Sequence, residues 1–444
     1  MTDVRSQSPS LSFSLDLATA MKFLVTLGLL GGALAAPAPE SGKHRAQSFD
    51  MPLQWTPFGF TTDTITVGSP PQKVDSFVDW TWIGQYVFTP RCHGSLSKTY
   101  ECLQPSQALF NQTESHTFVN QTRLFPNRVW NPNHFFFYDD LSVGFGSDIQ
   151  RVGKQSARVT LQTADMHFKL DFAYPFSGVY GLSPVFSKDN ASTQSPFYQM
   201  WRRGAYRSPI TSFQYCYNST FGNPAPARER CGGNDGLQTL GGLSPALTKQ
   251  GRDAASSILW YKNIFFPVVN DINFEYDPPI YNYWAVHLTK HLIGDEEQVL
   301  NTTYGGNPGA IFDHASYGHG VPMSVNSYNR LIQITNGQPL SLEEGQLPNN
   351  GNQSFVSVDC DKVSSFPPLK YQFQGHDRLW EVIPENYVEK LSLPNATEPT
   401  CVLNVRTLGE GNFVIGNFGD TFAKDKIVLF DFEKMKVGLA DMPK

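Results

Sequence analysis

Two aspartates follow the same local pattern in two distant parts of the chain. Asp79 closes the run Phe77-Val78-Asp79, and Asp313 closes the run Ile311-Phe312-Asp313. In each run an apolar pair leads into one acid, as it does where a buried strand ends and presents a carboxylate at a turn. Two carboxylates in one site cannot both ionise easily, so one keeps a proton while the other acts as a general base toward water. If the two acids meet in one site, such a pair can activate a water molecule for hydrolysis, and no covalent intermediate is needed.

The residues before Asp79 predict the element that positions it. Ile65-Thr66-Val67 alternates in polarity like a strand, and the turn Gly68-Ser69-Pro70-Pro71 follows it. A second strand then runs to Asp79, so we expect a hairpin with the acid at its far end. Because an aspartate strand recurs at Asp313, we expect two similar lobes.

The remaining sequence indicates short strands separated by turns, for example at 157–161 and 355–358, and one helix from Ser324 to Ile334. A net charge of −6 without any block of Lys or Arg excludes an electrostatic basis for binding nucleic acid or an anionic membrane. Aromatic residues make up 13% of the chain, which supplies apolar area for a large core. The His and Cys residues lack metal-ligand spacing, so we expect no metal and no cofactor.

The N-terminal region predicts export. Residues 1–20 are a predicted upstream extension, and 21–35 are a predicted signal peptide with a charged start at Met21-Lys22, an apolar stretch and the small-x-small site Ala33-Leu34-Ala35. Residues 36–58 form a short N-terminal segment or prosegment. No other stretch is apolar and long enough to span a bilayer, and the C-terminus lacks a lipid-anchor signal. We expect a secreted or vacuolar protein without a membrane anchor.

Cysteines and glycosylation sequons agree with that compartment. Six cysteines are an even number, which leaves none obliged to stay free. Cys216 and Cys231 are predicted to pair, because the segments around them read as the two sides of a hairpin. Seven Asn-x-Ser/Thr sequons predict N-glycosylation. They begin at Asn111, Asn120, Asn190, Asn218, Asn301, Asn352 and Asn395.

The stretch from Thr64 to Phe88 resembles the opening of the N-terminal lobe of pepsin-like aspartic proteases, in which a strand, a Gly-[Ser/Thr]-Pro-Pro-Gln turn and a second strand lead to Asp-Thr-Gly-Ser. Ala310-Ile311-Phe312-Asp313 resembles the repeat of this pattern in the C-terminal lobe. The resemblance covers about residues 60 to 442. Further segments match the family in the same order: Phe176-Ser177-Gly178-Val179-Tyr180-Gly181-Leu182, Leu240-Gly241-Gly242, Phe413-Val414-Ile415-Gly416-Asn417-Phe418, Val428-Leu429-Phe430-Asp431 and Lys436-Val437-Gly438-Leu439-Ala440.

The resemblance implies an all-β, bilobal fold of two similar β-rich lobes with a central cleft. The expected N-terminal lobe spans 59–245 and the expected C-terminal lobe 246–444. Asp79 and Asp313 become the expected catalytic pair of a monomeric endopeptidase that acts on a peptide or protein. Two disulfides are also implied by the family, Cys92 with Cys102 and Cys360 with Cys401.

Both aspartate motifs depart from the family pattern Asp-Thr-Gly-[Ser/Thr]. This chain has Asp79-Trp80-Thr81-Trp82 and Asp313-His314-Ala315-Ser316. Thr81 and Ala315 stand where the family has glycine, so we expect both turns to bend differently or to carry strain. Trp80 and His314 stand where the family has two threonines that hydrogen-bond across the lobe interface. Three hypotheses follow. The protein is an acid endopeptidase with an unusual site, or a catalytically inactive homologue that binds a peptide, protein or carbohydrate. The third is a different role in a secretory or biosynthetic pathway, as an accessory protein or as an enzyme of some other reaction.

The side chains around the acids have alternative placements. Trp80 and Trp82 either narrow the cleft beside Asp79 or pack into the core, which is the commoner fate of Trp. The ring of His314 either contacts one of the acids or turns into the interior of the lobe.

The family's flap, a hairpin that closes over substrate, is predicted to have its tip at Val129-Trp130-Asn131-Pro132-Asn133. An alternative register places the tip at Val143-Gly144-Phe145-Gly146-Ser147. Trp130 would supply an aromatic N–H donor, although a surface Trp explains it equally well. Trp130 and Ser316 are therefore the candidate substrate-binding residues.

Overall fold

The structure is a computed structural model that describes residues 48–56, 59–82, 84–90, 108–124, 140–167, 176–185, 194–216, 231–248, 254–264, 283–300, 306–314, 320–342, 353–393, 397–407 and 414–442. Strands dominate these residues, and the helices between them are short. The all-β prediction is confirmed.

The strands in the first half are β1 (Phe49–Thr56), β2 (Gly59–Val67), β3 (Gln72–Asp79), β4 (Gln85–Phe88), β5 (Val119–Asn120), β6 (Asp140–Val152), β7 (Gln155–His167), β8 (Gly178–Gly181), β9 (Ile210–Tyr215) and β10 (Gly236–Leu240). Those in the second half are β11 (Leu259–Lys262), β12 (Ala285–Ile293), β13 (Glu296–Glu297), β14 (Gly309–Phe312), β15 (Val321–Pro322), β16 (Gln338–Leu342), β17 (Gln353–Val358), β18 (Leu369–Phe373), β19 (Leu379–Val382), β20 (Val388–Leu391), β21 (Thr400–Leu403), β22 (Val405–Arg406), β23 (Val414–Phe418), β24 (Lys426–Asp431) and β25 (Lys436–Asp441).

The α-helices are α1 (Pro196–Arg202), α2 (Pro245–Thr248), α3 (Val325–Thr335), α4 (Pro384–Tyr387) and α5 (Asp420–Ala423), and 3-10 turns lie at Thr122–Leu124, Ala254–Ser257 and Cys360–Ser365. Helix α3 agrees with the predicted helix. Its N-cap Ser324 accepts a hydrogen bond from the Ser327 amide, and Asn336 ends it in the left-handed conformation at φ 51°.

Each aspartate lies at the end of a strand that has a parallel neighbour. Strand β3 pairs in parallel with β8, which places Asp79 opposite Gly181. Strand β14 pairs in parallel with β23, which places Phe312, the residue before Asp313, opposite Phe418. The same local arrangement therefore occurs twice, once near each acid.

The largest sheet joins the two halves of the chain. Its strand order is β11-β25-β24-β9-β10-β1-β2-β3-β8-β4-β7-β6-β5. Strands β24 and β25 come from the C-terminal end, and β24 pairs with β9 from the first half. Strand β1 pairs with both β10 and β2, so this sheet begins at Phe49, inside the stretch that was expected to precede the N-terminal lobe.

A second sheet carries Asp313. Its strand order is β19-β18-β12-β14-β23, and β13 extends it beside β12. Strands β16, β17, β21 and β20 form a third sheet, and β15 pairs with β22. The apolar core runs through both large sheets and is rich in aromatic rings, of which Trp80, Trp284 and Trp380 are among the largest buried side chains.

The alternative flap register is wrong. Residues 143–147 pair in mid-strand with 160–164 of β7, because β6 and β7 form one long hairpin. That hairpin turns at Gly153 and Lys154, and Gly153 has φ +59°, which suits a two-residue turn. The preferred tip at 129–133, with Trp130, lies outside the described residues.

Two of the three predicted disulfides are present, Cys216–Cys231 and Cys360–Cys401. Cys92 and Cys102 lie outside the described residues, as do the predicted extension and signal peptide. No helix in the described part of the chain is long and apolar enough to cross a bilayer.

Two sequons fall on described residues. Asn120 is exposed at the end of β5. Asn111 is half-buried, and its Nδ2 donates to Glu114 Oε1 at 2.8 Å. The remaining sequons begin outside the described residues, at Asn190, Asn218, Asn301, Asn352 and Asn395.

His291 in β12 predicts how stability depends on pH. Its ring is wholly buried, stacks on Tyr371 at 4.7 Å between centroids, and has no hydrogen-bond partner among the described residues. Burial lowers the pKa of His291 to about 3. In the unfolded chain the His pKa is near 6.5. Between the two pKa values the unfolded chain binds a proton that the folded protein does not, so stability falls as the pH drops below about 6.5.

As the pH falls from about 7.5 to about 4.5, we expect the free energy of unfolding to fall by roughly 2.5 kcal/mol because of His291 alone. His291→Phe keeps an aromatic ring beside Tyr371 and should remove this pH dependence, as measured by urea unfolding at the two pH values. His287→Phe, at a half-buried position on the same strand, is the control. An unchanged pH dependence in His291→Phe would contradict the prediction.

Candidate active site

The first aspartate lies in a loop that supplies three hydrogen bonds to one oxygen. Asp79 is 6% exposed. Its Oδ1 accepts from the Thr81 amide at 2.7 Å, from Thr81 Oγ1 at 2.8 Å and from the Trp82 amide at 3.1 Å. The loop therefore holds the carboxylate by two backbone donors and one hydroxyl.

Thr81 fills the position where the family has glycine without the expected cost. Among the described residues, a positive φ outside glycine occurs only at Asn336 and Met435, so Thr81 does not adopt the left-handed conformation. The amide of Thr81 points at the acid, and its side chain adds a donor that glycine lacks. Of the two alternatives for this turn, left-handed strain at Thr81 is excluded, because the turn does not require a glycine conformation at that position.

The environment of Asp79 acts on its pKa in two directions. Burial raises the pKa of Asp79 above its ordinary value, because the charged form loses hydration. The three hydrogen bonds from Thr81 and Trp82 favour the charged form and offset part of that rise. The loop therefore tunes the acidity of this carboxyl.

The end of β8 and the residue after it bind the backbone of the Asp79 loop. The Leu182 amide donates to Asp79 O at 2.7 Å, and the Gly181 amide donates to Gly84 O at 3.0 Å. A Cβ on Gly181 would lie 2.2 Å from Trp82 O and 2.3 Å from Gly84 O. Glycine is required at position 181 because the backbone of the loop lies directly against it.

The second aspartate is equally buried. Asp313 follows β14 and is 4% exposed. Its amide donates to Phe418 O at 3.2 Å, and its Oδ2 accepts from Asn417 Nδ2 at 2.8 Å. The acceptor Phe418 O and the donor Asn417 Nδ2 both belong to β23, the parallel neighbour of β14. Ala315 and Ser316 lie outside the described residues.

The residues that follow the two acids contact each other. The rings of Trp80 and His314 are both fully buried and lie 4.2 Å apart between centroids at an interplanar angle of 61°. This edge-to-face contact occupies the position where the family has a pair of threonines. His314 therefore turns into the interior, where Phe60 and Phe213 also pack against its ring at 5.3 and 5.2 Å.

Rings from both halves of the chain extend this contact into what we call the central aromatic cluster, formed by Trp80, Phe213, Trp284, His314 and Phe430. Trp80 packs edge-on against Phe213 at 4.9 Å and Phe430 at 5.1 Å. Trp284 stacks on Phe430 at 4.8 Å. The cluster therefore reaches from the loop after Asp79 to the loop after Asp313.

Trp284, a member of the cluster, and Trp82, which lies in the Asp79 loop, have different surroundings. Trp284 Nε1 donates to Leu182 O at 2.7 Å, and the Trp284 carbonyl accepts from the Phe312 amide at 2.8 Å. Trp82 is only half-buried and packs edge-on against Tyr86 at 5.3 Å. Of the two tryptophans near Asp79, Trp80 therefore belongs to the core and Trp82 reaches the surface.

Sequence reasoning missed Gln238 and Asn417. Asn417 lies inside a segment that resembles the family signature, so a comparison of that signature residue by residue would have found it. Gln238 Oε1 accepts a hydrogen bond from Trp80 Nε1 at 3.0 Å. Strand pairing brings these distant residues together, and no local pattern marks Gln238. Within the described ranges, no group of three His, Cys, Asp or Glu side chains is placed to hold a metal ion.

The hydroxyl of Thr81 predicts a measurable change at Asp79. Thr81→Val removes the hydroxyl donor and keeps the amide, so the charged carboxylate loses one hydrogen bond and the pKa of Asp79 should rise. A carboxyl ¹³C NMR titration, assigned with Asp79→Asn, measures the change. Thr81→Ser keeps a hydroxyl and should leave the midpoint near the wild-type value. Equal midpoints in the Val and Ser variants would contradict the prediction.

The sequence of this chain is similar to a family model and to several known proteins. Residues 268–442 match the family model described as eukaryotic aspartyl protease. The chain is 68% identical over 418 residues to the aspartic protease-like protein pytH of Aspergillus terreus, which covers 94% of this chain and 97% of that protein. It is 51% identical over 424 residues to a probable secreted aspartic protease of Arthroderma benhamiae, and the match covers 95% of this chain and 99% of that protein. It is 46% identical over 419 residues to the aspartic protease-like protein pynH of Aspergillus niger, and the match covers 93% of this chain and 97% of that protein.

Proposed function

Because this chain belongs to the eukaryotic aspartyl protease family, we propose that it is a secreted endopeptidase whose acid pair is Asp79 and Asp313. The substrate is a peptide or an unfolded protein. The reaction is hydrolysis of an internal peptide bond by an activated water.

The observation that carries this proposal is the set of three hydrogen bonds at Asp79 Oδ1. These three donors favour the ionised form of Asp79, which is the form that a general base toward water requires. The amides of Thr81 and Trp82 point at the carboxylate, although Thr81 replaces the family's glycine and Trp82 replaces its serine or threonine. Asp313 has its own donor in Asn417.

The proposed chemistry uses both acids as one unit. The ionised carboxylate takes a proton from a water molecule, whose oxygen attacks the peptide carbonyl carbon. The protonated carboxyl stabilises the resulting tetrahedral oxygen, and a proton passes to the leaving nitrogen as the C–N bond breaks. The two acids share one proton in the resting site, so their titration belongs to the pair.

Secretion is proposed from two observations. The relative in Arthroderma benhamiae is named a probable secreted aspartic protease. The segment 21–35 of this chain has the pattern of a signal peptide. We therefore propose that the protein passes through the secretory pathway and acts outside the cell or in a vacuole.

A second candidate function rests on Trp80 and His314, which replace the family's threonines by bulky rings. If those rings hold the acids in an unproductive arrangement, the protein binds a peptide, protein or carbohydrate without cleaving it. It would then serve as an accessory protein.

Digestion of a denatured protein separates the two candidates. The chain from Ala36 onward, produced through a eukaryotic secretory pathway, is incubated with denatured casein from about pH 3 to about pH 7. We expect internal cleavage on the acidic side, mapped by mass spectrometry, and none with Asp79→Asn. A folded wild-type protein that cleaves nothing at any of these pH values would refute the peptidase and favour the binding protein.

A further inference from the structure

We propose that Gln238 is a positioning residue for the acid pair, because it fixes the indole of Trp80 against His314 and so keeps the two aspartate loops in contact. The catalytic meaning of this inference rests on the proposed function. The contact itself can be tested without hydrolysis.

A short hydrogen-bond chain connects Gln238 to the Asp79 loop. Trp80 Nε1 donates to Gln238 Oε1 at 3.0 Å, and Gln238 Nε2 donates to Thr211 Oγ1 at 2.7 Å. Thr211 Oγ1 donates in turn to Thr239 O at 2.9 Å. All four residues are buried. This series of hydrogen bonds ends on the backbone carbonyl of Thr239, so its geometry is set by the sheet.

The sheet also fixes where Gln238 stands. On β10, Gln238 pairs with Phe213 of β9, and on β24 Phe430 pairs with Thr211 of β9. Phe213 and Phe430 are the rings that contact Trp80. Three neighbouring strands therefore form the surface on which the indole lies, and Gln238 determines its orientation within that surface.

A glutamine suits this role because its amide presents a donor and an acceptor at once. The indole N–H can only donate, so a buried indole needs an acceptor, and Oε1 of Gln238 supplies it. The Nε2 end is held by Thr211, which prevents the amide from rotating. An apolar residue at position 238 would leave the buried indole N–H unpaired, which favours a different ring orientation.

A reoriented indole would disturb Asp79. Trp80 lies between Asp79 and Thr81, and the amides of Thr81 and Trp82 donate to Asp79 Oδ1. If the ring moves, these donors move with the backbone and the carboxylate loses part of its hydrogen bonding. The pKa of Asp79 then rises, and the distance between the two acids changes.

The experiment compares Gln238→Met, Trp80→Phe and the double variant. Gln238→Met keeps the length of the side chain without its polar atoms, and Trp80→Phe keeps a ring without the N–H. Trp380→Phe is the matched control: Trp380 is 2% exposed and its Nε1 donates to Tyr261 OH at 2.8 Å. Trp380 lies in β19, which β18 and β12 separate from the strand before Asp313.

We expect Gln238→Met to lower kcat by roughly tenfold with KM nearly unchanged, since a misplaced acid slows chemistry more than binding. The acidic limb of the pH profile should move to higher pH. The carboxyl ¹³C titration of Asp79 should move upward in Gln238→Met and in Trp80→Phe. The double variant should lose no more than either single variant, because both remove the same hydrogen bond. Trp380→Phe should change neither the kcat nor the Asp79 titration.

Two results would overturn the inference: an Asp79 titration in Gln238→Met that matches that in Trp380→Phe, or losses in the single variants that add fully in the double variant. Failure of the proposed function looks different. A wild-type protein without peptidase activity, in which Gln238→Met still shifts the Asp79 titration, would refute the endopeptidase and leave the positioning role of Gln238 standing.

Discussion

Replacement of either acid by its amide, Asp79→Asn or Asp313→Asn, is expected to lower kcat/KM for peptide hydrolysis by about 10³-fold or more. One acid must be ionised to take a proton from water, and the other must be protonated to stabilise the tetrahedral oxygen. An Asn side chain is nearly the same size, but it can neither accept a proton from water nor supply a carboxyl proton. Initial rates on a quenched fluorescent peptide at the optimal pH measure the effect.

The double variant Asp79→Asn/Asp313→Asn should be no slower than either single variant, since residues that act as a unit give strongly non-additive losses. Asp63→Asn is the control. Its side chain is 68% exposed and contacts Lys73 at 3.3 Å on the surface, so it should retain full activity. Residual activity above a few per cent in either single variant would show that the pair is not the catalytic centre.

Truncation of the ring in Trp80→Ala is expected to lower the free energy of unfolding by roughly 3–5 kcal/mol. The indole is fully buried and packs against Phe213, His314 and Phe430. Its loss leaves a cavity between the two aspartate loops and removes the hydrogen bond to Gln238 Oε1. Urea unfolding at neutral pH, with kcat/KM measured on the folded fraction, tests the prediction.

Trp82→Ala is the matched control, because Trp82 lies two residues further on in the same loop but is only half-buried. Its loss should cost less than half as much. Trp80→Thr, which restores the family residue, should behave like Trp80→Ala and should not raise peptidase activity, since the surrounding rings are shaped around an indole. A stable and more active Trp80→Thr variant would contradict the view that the aromatic contact has replaced the threonine pair.

Local pattern, together with the resemblance to pepsin-like proteases, predicted the fold and the strand ends that carry the two acids. The alternation in Ile65–Val67 and the turn after it predicted the β2–β3 hairpin, and the run before Asp313 predicted β14. Helix α3 was predicted from the local pattern between Ser324 and Ile334, and the structure adds its capping serine. The Cys216–Cys231 pair was predicted for the same reason. These features depend on neighbours within about fifteen residues, so the sequence carries them directly.

The sequence by itself determined the family, the all-β architecture and the identity of two buried acids. Only the tertiary structure decided what the unusual residues beside those acids do. Trp80 contacts His314 across more than two hundred residues of chain, and Gln238 reaches Trp80 through strand pairing. Thr81 was expected either to bend its turn differently or to strain it, and the structure shows that it donates two hydrogen bonds to Asp79. The physical reason is that a ring contact or a hydrogen bond depends on which distant side chains face each other, and strand register sets this only when the whole sheet has formed.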